Sequence, residues 1–292
     1  MIEIDNVSKF YSKKKALDGV SLELKEGIYG LLGPNGAGKS TLINILVTAL
    51  SQSSGEVRYN GIDIRDKKSG YLRALGFLPQ NPRFYKNYTA EEFLRYMAAL
   101  KNVKGDIQKR IDELLKFVNL SEEKNQKIGS FSGGMVQRIG VAQALINNPK
   151  IVILDEPTAG LDPKERIRFR NLISEIAENR TVILATHIVP DVEYIANRVI
   201  LMDKGRIIKE GTAIELMNSI DNKVWQFQIY ADEIERYITK YDISNAYRED
   251  DIYSLRIVSD KKPEPEAINI SPGLEDVFLY YCTDKRNGGE VI

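Results

Sequence analysis

Residues 28–41 read Ile28-Tyr-Gly-Leu-Leu32-Gly33-Pro-Asn35-Gly36-Ala-Gly38-Lys39-Ser40-Thr41. The short apolar run predicts a buried strand over Ile28 to Leu32, and the spacing beyond the turn predicts a helix from Lys39 to about Leu50. Between them stands G-x-x-x-x-G-K-[ST], in the strand, turn and helix context that gives this pattern its meaning. Glycines let backbone N–H groups curl around a phosphate, and the helix N-terminus adds a favourable dipole. Lys39 is then placed to bridge the β- and γ-phosphates of a nucleotide, and the Ser40 hydroxyl to ligate Mg²⁺.

A second apolar run, Ile151 to Leu154, ends in two carboxylates, Asp155 and Glu156. That places both at the carboxyl edge of a sheet, where open α/β folds bind ligands. A capped strand end explains one acid poorly and two hardly at all, because the first lies almost inside the sheet unless paired or near a metal. Asp155 is the expected Mg²⁺ partner, through water, and Glu156 the group that polarises an attacking water. A further buried strand, Val182 to Ala185, leads to His187, the only histidine.

Around these runs the pattern alternates in kind. Ile2, Ile4 and Val7, then Val20, Leu22 and Leu24, predict an antiparallel strand pair joined by a loop rich in Lys and Ser. Helical spacing appears at Glu91 to Leu100, Ile107 to Val118, from Gly133 to about Ile146, and in a crossover helix over Lys164 to Glu178. Beyond Gly211, Trp225, Phe227 and Ile229 alternate, a helix runs to about Tyr241, Tyr253, Leu255 and Ile257 alternate, and a last helix is expected from about Leu274 to Cys282. The fold class expected is α/β: a phosphate-loop core over 1–220 with an N-terminal antiparallel β subdomain, a helical subdomain at about 88–148, and a small α+β accessory domain over 221–292.

The order of the motifs resembles one family. The phosphate loop, Gln80 in Gly76-Phe-Leu-Pro-Gln80, Phe131-Ser132-Gly133-Gly134-Met135, Asp155-Glu156-Pro157-Thr158, Gly160-Leu-Asp162 and His187 follow one another as in ATP-binding-cassette (ABC) ATPases. The resemblance covers about residues 1–220, and the Ser-Gly-Gly signature separates this family from other phosphate-loop enzymes. It implies ATP and Mg²⁺ as ligands, ATP hydrolysis, and a second copy of the chain closing head to tail, so that one copy's signature faces the other's phosphate loop. It also implies a separate transmembrane permease and a place on the inner, cytoplasmic face of the cell membrane.

Carried over by the same resemblance, Tyr11 stacks on adenine, Gln80 touches Mg²⁺ or water, His187 contacts the γ-phosphate and Asp162 lies near the dimer seam. Each has an ordinary reading beside it. Phe10 competes with Tyr11, Ser132 and Asp162 are also N-caps for the helices that follow them, and a lone histidine is often incidental. Phe84, Tyr85 and Tyr88 either grip the permease or pack inside. Met135, where many members carry Gln, and Leu274-Glu-Asp-Val-Phe278 resemble the drug and polypeptide exporter (ABC-2) branch, although the latter also reads as a plain helix start.

Composition narrows the classes. The 41 basic and 41 acidic residues give no net charge, which counts against nucleic acid as partner and against a soluble clamp on ribosomes or DNA. Residues 1–220 carry 32 basic and 26 acidic side chains, whereas 221–292 carry 9 and 15, either an acidic accessory domain or simple surface variation. One cysteine, Cys282, excludes a disulfide framework and a cysteine metal site. No apolar run approaches the length of about 20 residues that spans a bilayer, so any membrane role is borrowed from a partner.

Overall fold

The computed structural model describes residues 1–12 and 14–282. β1 (Ile2–Tyr11) and β2 (Lys14–Leu24) pair antiparallel from Ile2 with Leu24 to Tyr11 with Lys14, so strand pairing takes in most of the loop expected between them. Ile4 pairs with Leu22 and Val7 with Val20, and the register shifts between the two pairs. Asn6 sits there at φ 47, so the break in alternation between Ile4 and Val7 is a β-bulge that returns Val7 to the buried face.

β3 (Gly27–Leu32) enters the phosphate turn, and α1 (Lys39–Leu46) leaves it. The helix stops short of Leu50 because Thr48 takes φ 61, a left-handed conformation that a β-branched residue adopts only at a turn. β4 (Ser54–Tyr59) and β5 (Ile62–Asp63) complete a first sheet in the order β2-β1-β4-β5. α2 (Tyr71–Ala74) and β6 (Leu75–Leu78) lead into α3 (Ala90–Leu100), α4 (Ile107–Phe117) and α5 (Gly133–Leu145). Thr89, Asp106 and Ser132 cap these three helices by accepting a backbone N–H from the first turn.

The chain returns to the sheet at β7 (Ile151–Asp155), crosses by α6 (Pro163–Ile176) to β8 (Thr181–Thr186), and continues through α7 (Val189–Glu193), β9 (Arg198–Asp203), β10 (Arg206–Gly211) and α8 (Ala213–Asn218). The central sheet has the order β10-β9-β3-β8-β7-β6 and is parallel except at β10. Every residue of β7 and β8 is buried, which is why both read as unbroken apolar runs. One core fills the space under the first sheet, with Ile2, Leu42 and Ile153; the other lies under the helices, with Leu94, Ile139 and Val182.

β11 (Val224–Tyr230), α9 (Ile234–Lys240), β12 (Asp242–Glu249), β13 (Ile252–Val258) and β14 (Ile268–Asn269) make a third sheet, β12-β13-β11-β14, with its own small core around Phe227, Tyr237 and Leu255. α10 (Leu274–Cys282) departs from the expected grouping. Its Leu274 and Val277 are fully buried in the large helical core rather than in the small one. The Asp276 carboxylate, buried beneath it, accepts from Arg256 of β13 at 2.6 Å and so ties the small sheet to the body. Among the described residues no helix is long and apolar enough to cross a membrane.

Candidate functional site

Two glycines of the phosphate turn have no tolerable substitute. A Cβ on Gly33 would stand 2.3 Å from the Met202 carbonyl oxygen. Gly38 takes φ 109, and a Cβ there would meet the Ala16 carbonyl oxygen at 2.7 Å. Gly205 N–H donates to Ala37 O at 2.8 Å, so the loop is also pinned to the β9–β10 turn. Lys39 Nζ donates to Gly33 O at 2.6 Å and Pro34 O at 3.2 Å. Burial lowers its pKa, against the opposing pull of Glu156 and Asp155.

Tyr11, Lys14, Ala16, the loop from Pro34 to Thr41, Gln80 and Glu156 line one cavity of about 240 Å³. Tyr11 therefore borders it, with Lys9 Nζ 5.3 Å from its ring centre, while Phe10 does not. A larger cavity of about 820 Å³ lies between Arg73, Lys101, Arg110 and Ile146 and has no carboxylate in its lining, so size does not locate the chemistry.

At the end of β7 the Asp155 carboxyl is pushed up to about 6, chiefly by burial and then by the Glu156 charge, with Lys39 opposing. Glu156 takes φ 48. A non-glycine residue held there costs on the order of 1–3 kcal/mol and persists where its surroundings fix it. Here they do: Glu156 N–H donates to Ala185 O at 2.8 Å, Thr186 Oγ1 donates to Glu156 Oε2 at 3.2 Å, and Glu156 Oε1 meets His187 Nδ1 at 2.9 Å. The strained backbone thus turns the carboxylate away from the strand and onto the histidine.

The remaining candidates lie outside the cavity. Ser132 Oγ accepts from Met135 N at 3.3 Å, and the space around Gly133 is open. Asp162 Oδ1 accepts from Glu165 N at 2.9 Å, a cap on α6. Phe84 is half-buried against the helical core, 4.9 Å from the Phe93 ring, whereas Tyr85 and Tyr88 stack at 5.2 Å and are exposed. Sequence reading gave no role to Thr186, Lys14 or Ala16, nor to Asp191, which is fully buried and accepts a hydrogen bond from Thr158. Thr186 and Thr158 each stand within two residues of a site residue, which was the only available signal; Asp191 had none.

A family model described as ABC transporter matches residues 17–159. The linearmycin resistance ATP-binding protein LnrL of Bacillus subtilis is 35% identical over 75% of this chain and 72% of its own length. The chain belongs to the ABC transporter family. Another ABC relative, the bacitracin transport ATP-binding protein BcrA of Bacillus licheniformis, is 34% identical over 78% of this chain and 75% of that one. The dimeric structure of the bacterial ABC transporter cassette MJ0796 matches this one with a TM-score of 0.66 and 30% identity, covering 73% of this chain and 98% of that chain. A second MJ0796 dimer, in a post-hydrolysis state bound to ADP and Pi, matches equally well. This chain is thus an ATP-binding ABC subunit, and its α/β cassette fold with an antiparallel β subdomain is the one these relatives share.

Proposed function

We propose that this ABC subunit hydrolyses ATP to drive a membrane exporter, as two copies that close head to tail over two ATP molecules. The observation that carries the reading is the Glu156–His187 pair, 2.9 Å apart, whose Glu156 lines the phosphate-loop cavity. Ser132 to Gly134 lie outside that cavity at an open helix start, where a second copy can receive a γ-phosphate on their N–H groups. The MJ0796 dimers support the pairing.

The residues fit ATP and Mg²⁺: the phosphate turn lines a cavity together with Gln80 and Glu156, and a buried cation, Lys39, feels the charges of two buried acids. Ser40 and Gln80, with Asp155 through water, would hold Mg²⁺, which would supply charge neutralisation on the phosphates. Backbone N–H groups of Gly33 and of Asn35 to Thr41, Gly36 among them, receive the phosphate oxygens, and Lys39 exchanges its loop carbonyls for them. Tyr11 offers its ring to adenine. Glu156 takes the proton of the attacking water as the water oxygen bonds to the γ-phosphorus; the bond to the bridging oxygen breaks, and ADP leaves with its electron pair. His187 holds the carboxylate and the γ-phosphate together, and Asp162 lies at the seam between copies.

Export is supported by LnrL and BcrA, named for linearmycin resistance and bacitracin transport, and by Met135 and Leu274 to Phe278. The permease docks beside Gln80, where the exposed Tyr85 and Tyr88 pack edge-on against Tyr96, and so holds this subunit on the inner face of the membrane. Residues 1–220 form the motor and 221–292 an accessory unit whose last helix, α10, packs into the motor's helical core. The test is recovery of tagged Glu156→Gln with ATP from gently solubilised cells. A multi-span membrane protein among the companions supports the reading, and recovery with ribosomes or nucleic acid alone overturns it.

A further inference from the structure

Among the described residues, Asp191 is a fully buried carboxylate of the cassette that the proposed chemistry does not use. Three segments converge on it. Thr158, also fully buried, donates its hydroxyl hydrogen to Asp191 Oδ2 and lies two residues beyond Glu156. Arg166 and Arg170 of α6 approach Oδ1 at 4.0 and 3.9 Å, close enough to stabilise its charge but too far to hydrogen-bond it. Arg170 donates instead to the neighbouring Pro190 carbonyl at 2.9 Å. The third segment is α7 itself, whose first turn is closed by Asp191 N–H on Ile188 O at 3.1 Å, directly after His187.

The contacts extend in both directions. Ile188 N–H donates to Thr186 Oγ1 at 3.0 Å, and the same hydroxyl donates to Glu156. One residue before Arg166 on α6, Glu165 meets Arg138 of the signature helix α5 at 3.1 Å. The Glu165 N–H is the one that Asp162 caps. α6 therefore touches both functional halves of the chain: at Glu165 the helix that begins with Ser132 to Gly134, and at Arg166 and Arg170 the acid that fixes the segment carrying His187.

We propose that Asp191 is a positioning residue for hydrolysis. By joining Thr158, α6 and α7 it sets where His187 stands relative to Glu156, and through α6 it makes that position answer to the signature helix. Closure of the signature on a partner's nucleotide is then read at this chain's own Glu156–His187 pair. A buried acid suits this task because its contacts have few alternatives: moving Thr158 or α7 away leaves a buried carboxylate without its donor, which is costly. The inference rests on the hydrolysis reading above and goes beyond it in naming what couples the two half-sites.

The experiment is steady-state ATP turnover by the purified full chain, comparing Asp191→Asn, His187→Ala and the double variant. A misplaced histidine predicts a fall in kcat of about a hundredfold with KM for ATP unchanged within about twofold, because the nucleotide cavity itself does not include Asp191. In the His187→Ala background, Asp191→Asn is expected to cost nothing more, since the group through which it acts is gone. A merely structural role would lower Tm and add its loss to that of His187→Ala, and that additive result overturns the proposal, as does wild-type kcat in Asp191→Asn. Arg166→Gln, at a partly exposed helix position, is the second variant if Asp191→Asn does not fold; it is expected to lower kcat alone and to be silent without His187. Absence of turnover in the wild-type chain would overturn the hydrolysis reading, and this inference with it.

Discussion

His187 Nδ1 lies 2.9 Å from Glu156 Oε1, although 31 positions separate the two residues. The parallel pairing of β7 with β8 brings their strand exits side by side, and the left-handed backbone at Glu156 turns its carboxylate across the gap. Replacement by Gln keeps the shape and removes the proton acceptor. Glu156→Gln is expected to lose about a hundredfold or more in phosphate release while retaining ATP binding. Equilibrium binding and phosphate release on the same preparation check it, and near-wild-type turnover would remove Glu156 from the base role.

The glycine at position 38 is tested by the smallest possible change. Gly38→Ala puts a Cβ 2.7 Å from the Ala16 carbonyl at a φ that alanine adopts only under strain. The expected cost is about 1–3 kcal/mol, borne mainly by the loop. ATP affinity should fall by tenfold or more, a change of at least about 1.4 kcal/mol. Titration calorimetry would show it, and wild-type affinity would mean that the loop relaxes freely.

Asp155 gives a stability prediction with a definite sign. Its carboxyl is raised from the ordinary aspartate value to about 6, chiefly by burial. The folded chain therefore binds a proton that the unfolded chain has released between about pH 4 and about pH 6, and this group's contribution to stability falls as pH rises through that window. Asp155→Asn removes the buried charge. Without nucleotide it should be more stable than wild type at pH 7 by about 1–2 kcal/mol, after allowance for water at the mouth of the site. The gain should fade towards pH 4, and thermal unfolding at the two pH values measures it. A lower Tm for the variant at pH 7 would contradict the account.

Much of this site was legible because its parts are contiguous in the chain. A phosphate loop between a strand and a helix, and two acids after an apolar run, carry their meaning within a few residues. The β-bulge at Asn6 and the early stop of α1 at Thr48 were not legible, since both are local departures from a period that otherwise holds. Asp191 was invisible for a different reason: its partner Thr158 is 33 residues away, and an aspartate after Pro190 reads as an ordinary helix start. The last helix, Leu274–Cys282, looked like part of the small C-terminal unit because it follows that unit in the chain; its buried side chains lie in the other core.

That packing makes Leu274 a test of where α10 belongs. Leu274→Ala removes a fully buried side chain from the large helical core and should cost about 2–4 kcal/mol. Chemical denaturation followed by far-UV circular dichroism should show the main transition moving to lower denaturant. If only a minor separate transition moves, α10 stabilises the small sheet alone.

The central claim is that two copies complete one another's sites, and sedimentation of purified Glu156→Gln tests it most directly. With ATP and Mg²⁺ the account expects the mass to double, and with ADP it expects a monomer. A monomer at ATP concentrations that saturate binding would contradict the claim.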